Sequence, residues 1–260
     1  MDNDNRSKIN KLLSSSPSGI VFTSSWLKEQ GYSLDLQKRY RKSHWFKSIG
    51  SGAMIRTENN VGFEGAIFAM QNQLNTNFHP GGLTALSMLG KTHYLELGSS
   101  KVFLFAFAKE HLPTWFHQYD WGLDFSVSMT DFLPSDIGLV EFEVKNFKIK
   151  ISGQARAMLE CLYLSPKEHS LLECFELMEG LNNLRPKSVQ ELLEECTSVK
   201  AKRLFLYLAE KAGHSWLTYI NFDKIDLGKG KRSLVKNGIY IPKYQITVPK
   251  ELEEDDQAGI

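Results

Sequence analysis

The chain has few cysteines. Cys161, Cys174 and Cys196 are an odd number at wide spacings with no CxxC, which excludes a disulfide framework and a zinc ribbon. Long apolar runs are missing too. No window approaches the roughly 18 consecutive apolar residues of a membrane-spanning helix, so no membrane partner is expected. The opening Met1-Asp2-Asn3-Asp4-Asn5-Arg6 is polar and carries no apolar core of a secretory signal, which makes a cytoplasmic location the expectation. The catalytic patterns GxSxG, HExxH and GxGxxG are absent, so neither a catalytic residue nor a cofactor or metal is expected. Net charge is also small, at +1. What is present is ordinary globular composition: 260 residues, 42% hydrophobic and 23% charged. That length suits two domains or one large one.

The small net charge conceals a division along the chain. Residues 1–56 balance at +6, residues 57–197 at −8, residues 198–250 at +8, and the tail 251–260 at −5. Two basic segments around an acidic middle point to regional functions, because a basic face attracts polyanions. The acidic tail reads as a disordered, solvating end.

The first basic segment reads as a winged helix. Ile9, Leu12 and Leu13 give the apolar stripe of a helix over Arg6–Ser15, and Ile20-Val21-Phe22 a short strand. Thr23, Ser24 and Ser25 offer caps to a helix over Trp26–Gln30, which Gly31 ends. A second helix spans Ser33–Ser43, and Trp45–Arg56 then reads as strand, Gly-rich turn, strand: a wing. On the second helix Leu36 and Tyr40 mark the buried stripe. Lys38, Arg41 and Lys42 face the other way, with Gln37 and Arg39 on the flanks. Arg and Gln have the fork geometry that reads base edges, while Lys neutralises phosphate. Ser33, Ser51 on the wing and Arg56 complete the expected DNA-binding set. The alternative is a winged-helix adaptor that binds only protein.

The middle predicts a small β-sheet over helices. Helices are expected over Val61–Gln73 and Leu83–Leu89, strands over His93–Leu97 and Lys101–Ala106, and a hairpin of Leu139–Val144 with Phe147–Ile151. Phe78-His79-Pro80-Gly81-Gly82 reads as a turn rather than a phosphate cradle, since it lacks the Lys and Ser/Thr of a P-loop. Asp120 and Asp124 could serve a metal-dependent nucleic-acid enzyme, but no supporting Lys, Glu or His stands at a recognisable spacing.

The last third predicts helices over Gly153–Leu164, Ser165–Met178, Val189–Cys196 and Val199–Ala212. Lys200, Lys202 and Arg203 open the last of these against its dipole, which argues for a ligand-facing role. In Leu227-Gly228-Lys229-Gly230-Lys231-Arg232 two glycines interleave with three cations, a pattern suited to an anion-binding nest. These six cations form a possible second polyanion site.

Several stretches together resemble the AbiEi family of type IV antitoxins. They are Thr23-Ser-Ser-Trp-Leu, Gln37-Lys-Arg-Tyr-Arg-Lys-Ser, Ser48-Ile-Gly-Ser-Gly-Ala, Gly81-Gly-Leu-Thr-Ala-Leu, His93-Tyr-Leu, Leu227-Gly-Lys-Gly-Lys-Arg and Tyr244-Gln-Ile-Thr-Val-Pro. The likeness runs from about residue 8 to Pro249. It implies an α+β protein: an N-terminal winged helix-turn-helix, then a mixed α/β C-terminal domain with a small β-sheet and helices. The corresponding boundaries are 1–92 for DNA binding, 93–250 for the antitoxin domain and 251–260 for the tail. The resemblance further implies a non-enzymatic repressor that binds inverted repeats in its own promoter DNA. It also implies that the protein counteracts a nucleotidyltransferase-like toxin without a stable complex.

Overall fold

The computed structural model describes residues 2–91 and 101–254. The expected strand His93–Leu97 and its turn Gly98–Ser100 lie outside the described residues, as does the tail from residue 255. Two compact units interleave along the chain. The first comprises Met1–His79, Lys109–Asp124 and Glu141–Lys150, and the second Pro80–Ala108, Phe125–Val140 and Ile151–Ile260.

The first unit opens with α1 (Asp2–Ser15), β1 (Phe22–Thr23), α2 (Ser24–Glu29), α3 (Leu34–Lys42), β2 (Phe46–Gly50) and β3 (Ala53–Arg56). Helix, strand, two helices and a hairpin make the winged helix-turn-helix, and its three strands lie in the order β1-β3-β2. Register follows from the apolar alternation: Phe22 pairs with Met54 and Lys47 with Ile55, with an irregularity between Ser48 and Gly50. Phe22, Leu27, Phe46, Met54 and Ile55 are buried, and the Phe22 and Phe46 rings meet edge to face 5.2 Å apart. Helix α4 (Phe63–Gln73) packs on β1, whose short backbone would otherwise have unmet polar groups. The buried Gln73 resolves this by accepting from Thr23 N at 2.8 Å and donating to Val21 O at 2.7 Å.

The chain then passes through β4 (His79–Pro80), α5 (Gly82–Met88), β5 (Lys101–Ala106), α6 (Thr114–Gln118) and β6 (Asp124–Met129), with the strands ordered β4-β5-β6. A hairpin of β7 (Leu139–Val144) and β8 (Phe147–Ser152) turns at Lys145-Asn146 as the alternation requires, Lys145 taking φ +53°.

Four helices build the second unit's core: α7 (Gln154–Leu164), α8 (Leu171–Glu179), α9 (Pro186–Glu195) and α10 (Val199–Lys211). Helices α7 and α10 are central, buried along most of their length rather than on one stripe. The expected helix start at Ser165-Pro166 is corrected. Helix α8 begins after Ser170, whose hydroxyl accepts from Glu173 N at 3.0 Å, while Ser165 O accepts from Lys200 Nζ. Ser170-Leu-Leu-Glu173 carries the same S-x-x-E signal five residues later. A three-stranded sheet of β9 (Arg232–Ser233), β10 (Ile239–Ile241) and β11 (Ile246–Val248) follows, then α11 (Glu251–Glu254). The start of the tail is therefore ordered: Leu252 is buried and Glu253 accepts from the Tyr207 hydroxyl.

Candidate nucleic-acid interface

Helix α3 is set by its ends. Gly31 takes φ +85° after α2, and Ser33 caps α3, its hydroxyl accepting from Leu36 N at 3.3 Å, with Asp35 in the first turn. Leu36 and Tyr40 are buried, which turns Lys38, Arg39 and Lys42 fully outward and leaves Arg41 half-buried. None of the four cations makes an ion pair among the described residues. Two exposed apolar residues border them, Leu34 at 61% and Trp45 at 47% exposed. Periodicity alone left both unnoticed, because it reports buried stripes and says nothing of apolar residues turned outward.

Gln37 is corrected. It is 1% exposed, and its Nε2 donates to Tyr32 O at 2.8 Å and Ser24 O at 3.1 Å. It clamps the turn between α2 and α3 and cannot reach a base. Arg56 is corrected as well. Its guanidinium donates to Leu13 O at 2.9 Å and Ser16 O at 2.7 Å and lies over the Phe22 ring. Those carbonyls close α1, where a cation favours the helix dipole.

On the wing, Lys47 and Ser51 are exposed. The hairpin is braced within its own unit: Ser51 N donates to Gln118 Oε1 at 2.7 Å. At Gly50, with φ +144°, a Cβ would lie 2.8 Å from Trp115 Cα, so only glycine lets α6 approach.

The second basic cluster is only half exposed. Lys202 and Arg203 are 3% and 2% exposed, and Lys200 Nζ donates to Tyr163 O at 2.6 Å and Ser165 O at 2.5 Å. Burial lowers the pKa of Lys200. Arg203 donates to the carbonyls of Leu227 at 2.7 Å, Gly228 at 3.1 Å, Gly230 at 2.7 Å and Gln245 at 3.2 Å. The glycine turn is thus wrapped around an internal cation: its carbonyls, not its amides, converge. The expected anion nest is corrected, and Lys200, Lys202 and Arg203 leave the polyanion site for the core. Lys229, Lys231 and Arg232 remain exposed.

No group of three or more His, Cys, Asp or Glu suited to a metal occurs among the described residues. Asp120 and Asp124 are exposed, and Asp120 accepts from Gly122 N at 2.8 Å in its own turn. All three cysteines are buried and free, and burial pushes Cys174 up to about 12 and Cys196 to about 11. At the Gly81-Gly82 turn the amide of Gly82 donates to Glu160 Oε2 at 2.9 Å, so the chain's own carboxylate occupies the place a phosphate would take. Glu160 is ion-paired with Arg156 at 2.9 Å, both buried. Their i,i+4 spacing was legible; their burial was not, since charged pairs so spaced are ordinarily solvated.

Residues 5–97 match the family model described as transcriptional regulator, AbiEi antitoxin N-terminal domain. Residues 99–249 match the one described as transcriptional regulator, AbiEi antitoxin, type IV TA system. No curated protein matches. The crystal structure of the RV2827C protein from Mycobacterium tuberculosis shares the fold at 12% identity, with a TM-score of 0.60 over 95% of this chain and 92% of that one. No helix among the described residues is long and apolar enough to cross a membrane. With the two family models together matching residues 5–97 and 99–249, the chain belongs to the AbiEi family of type IV toxin–antitoxin transcriptional regulators.

Proposed function

We propose that the protein represses its own operon by laying α3 in the major groove of promoter DNA, with the β2–β3 wing against the neighbouring backbone. The observation that carries this reading is the α3 surface: Lys38, Arg39 and Lys42 are exposed and make no ion pair among the described residues, beside Arg41, on a helix whose opposite face is buried by Leu36 and Tyr40. Recognition helices reach bases with such side chains, while wing residues such as Lys47 and Ser51 fix orientation on phosphate. Ser33 contributes through its cap, which sets where α3 begins. Family membership supports the second half of the proposal: the protein counteracts a nucleotidyltransferase-like toxin encoded beside it, without a stable complex.

The test is a titration of the chain's own upstream DNA across salt. Affinity should fall steeply as salt rises, because each neutralised phosphate releases a counterion. Lys38→Ala should weaken all sequences alike and flatten the salt slope by about one, and Arg41→Ala should cost about 1–3 kcal/mol and relax specificity. Salt-insensitive binding, or an Arg41→Ala variant with unchanged affinity and specificity, overturns the DNA assignment. Co-expression with the neighbouring toxin tests the antitoxin half. Growth that stays arrested beside folded protein overturns it.

A further inference from the structure

Once Arg203 is seen to be internal, the rest of the basic turn acquires a different meaning. Residues 225–245 hold five cations, Lys229, Lys231, Arg232, Lys236 and Lys243, against one acid, Asp226. Lys243 is paired with Glu210, and one Asp226 oxygen accepts from Gly228 N at 2.8 Å. Lys229, Lys231, Arg232 and Lys236 are all exposed, with no ion pair among the described residues.

These cations surround one face of a sheet. Tyr240 pairs with Thr247 and Thr247 with Ser233, so the three lie in one row across β10, β11 and β9. Ile246 and Val248, on either side of Thr247, point into the core. Successive side chains alternate, so the row of Tyr240, Thr247 and Ser233 faces outward. Tyr240 is 37% exposed, an aromatic ring on a solvent-facing sheet, and the Lys231 ammonium stands 4.8 Å from its centroid. From beneath, the four carbonyl contacts of Arg203 fix the loop that presents Lys229 and Lys231. Arg203 has no carboxylate partner among these contacts. Burial first, and then the neighbouring Arg232, lower its pKa. The region therefore has an excess of positive charge that an anion would neutralise.

We propose that this face of the β9–β11 sheet binds single-stranded RNA. An aromatic on an open sheet face stacks an unpaired base, and surrounding cations track the backbone. A duplex does not suit it, because paired bases are already stacked and offer Tyr240 no face. The Lys231–Tyr240 contact is weaker than base stacking, so a base displaces the ammonium, which moves to a phosphate. The Thr247 hydroxyl lies on the strand next to Tyr240, and the Ser233 hydroxyl, one strand further along the row, donates to Val235 O at 3.2 Å and keeps its acceptor sites; a ribose 2′-OH bound along this row separates RNA from DNA.

The experiment uses the full chain, a fluorescein-labelled mixed-sequence single-stranded RNA of about 12 nucleotides, and anisotropy at two salt concentrations. Tyr240→Ala should weaken RNA binding about tenfold with an unchanged thermal midpoint and unchanged affinity for the upstream duplex. Tyr240→Phe should bind like the parent, since stacking needs the ring and not the hydroxyl. Lys229→Glu with Lys231→Glu should weaken binding and flatten its salt dependence. The proposal is overturned if Tyr240→Ala binds RNA like the parent, or if single-stranded DNA of the same sequence binds as tightly. RNA binding abolished by Lys38→Glu with Lys42→Glu also overturns it, because the RNA then sits on α3.

Discussion

Replacing Arg203 by methionine removes the guanidinium while filling most of its volume. Four carbonyls, of Leu227, Gly228, Gly230 and Gln245, then lose a charged donor. A hydrogen bond to a charged group contributes about 1.5–3 kcal/mol, so simple addition gives about 6–12 kcal/mol. That sum overstates the loss. Gly228, Gly230 and Gln245 are surface residues whose carbonyls can turn to water, and only part of the desolvation cost survives. With about two of the four carbonyls left unmet at about 1–3 kcal/mol each, a net cost of about 3–5 kcal/mol follows. For a chain of this size that lowers the thermal midpoint by about 10 °C. If the two units melt separately, the shift belongs to the transition of the second. Arg203→Lys should recover about half, because an ammonium cannot span four acceptors as a planar fork does. Lys231→Ala, on the surface, should change stability by under about 0.5 kcal/mol. Calorimetry of the three variants measures this. An Arg203→Met midpoint equal to the parent's would refute the internal role and return Arg203 to the surface-ligand reading.

Other outcomes can be checked alongside. Gln37→Leu should destabilise the first unit by about 1–3 kcal/mol through the unmet carbonyls of Tyr32 and Ser24, whereas Lys38→Ala should be near neutral in urea titrations. His169 is buried against the Phe103 ring, and burial lowers its pKa below the usual 6.5. The unfolded chain therefore binds the extra proton first, and stability should fall as pH drops through about 6.5. Urea midpoints between pH 7.5 and 5.5 should show this decline, and His169→Gln should flatten it; an equal slope in both proteins rejects the assignment. A fragment starting at His93 should lose solubility and bind hydrophobic dyes, because Trp115, Phe116 and Phe147 are buried within a unit built mainly from residues 1–79. A fragment that stays monomeric and dye-free would show that those aromatics need no such cover.

The sequence alone determined the order of the winged-helix elements and most of their boundaries, because the signals are local, although α2 starts at Ser24 without the expected side-chain cap. A cap at Ser33, a glycine at 31, the Leu36–Tyr40 stripe and a glycine-rich turn between two strands each act within a few positions. The same locality places the β7–β8 turn at Lys145 and the outward face of α3. Only the tertiary structure decided which polar residues are spent inside. Gln37, Arg56 and Arg203 look like ligands in the sequence, but their acceptors lie 5–13, 40–43 and 24–42 positions away, and no periodicity reports a carbonyl that distant. Arg156 and Glu160 were likewise placed in the core by the helices packed around α7. The row of Tyr240, Thr247 and Ser233 arises from strand register, which short strands of two or three residues cannot specify by themselves. Local chemistry fixes where an element begins, ends and turns, whereas packing between distant segments decides which charges remain free to meet a partner.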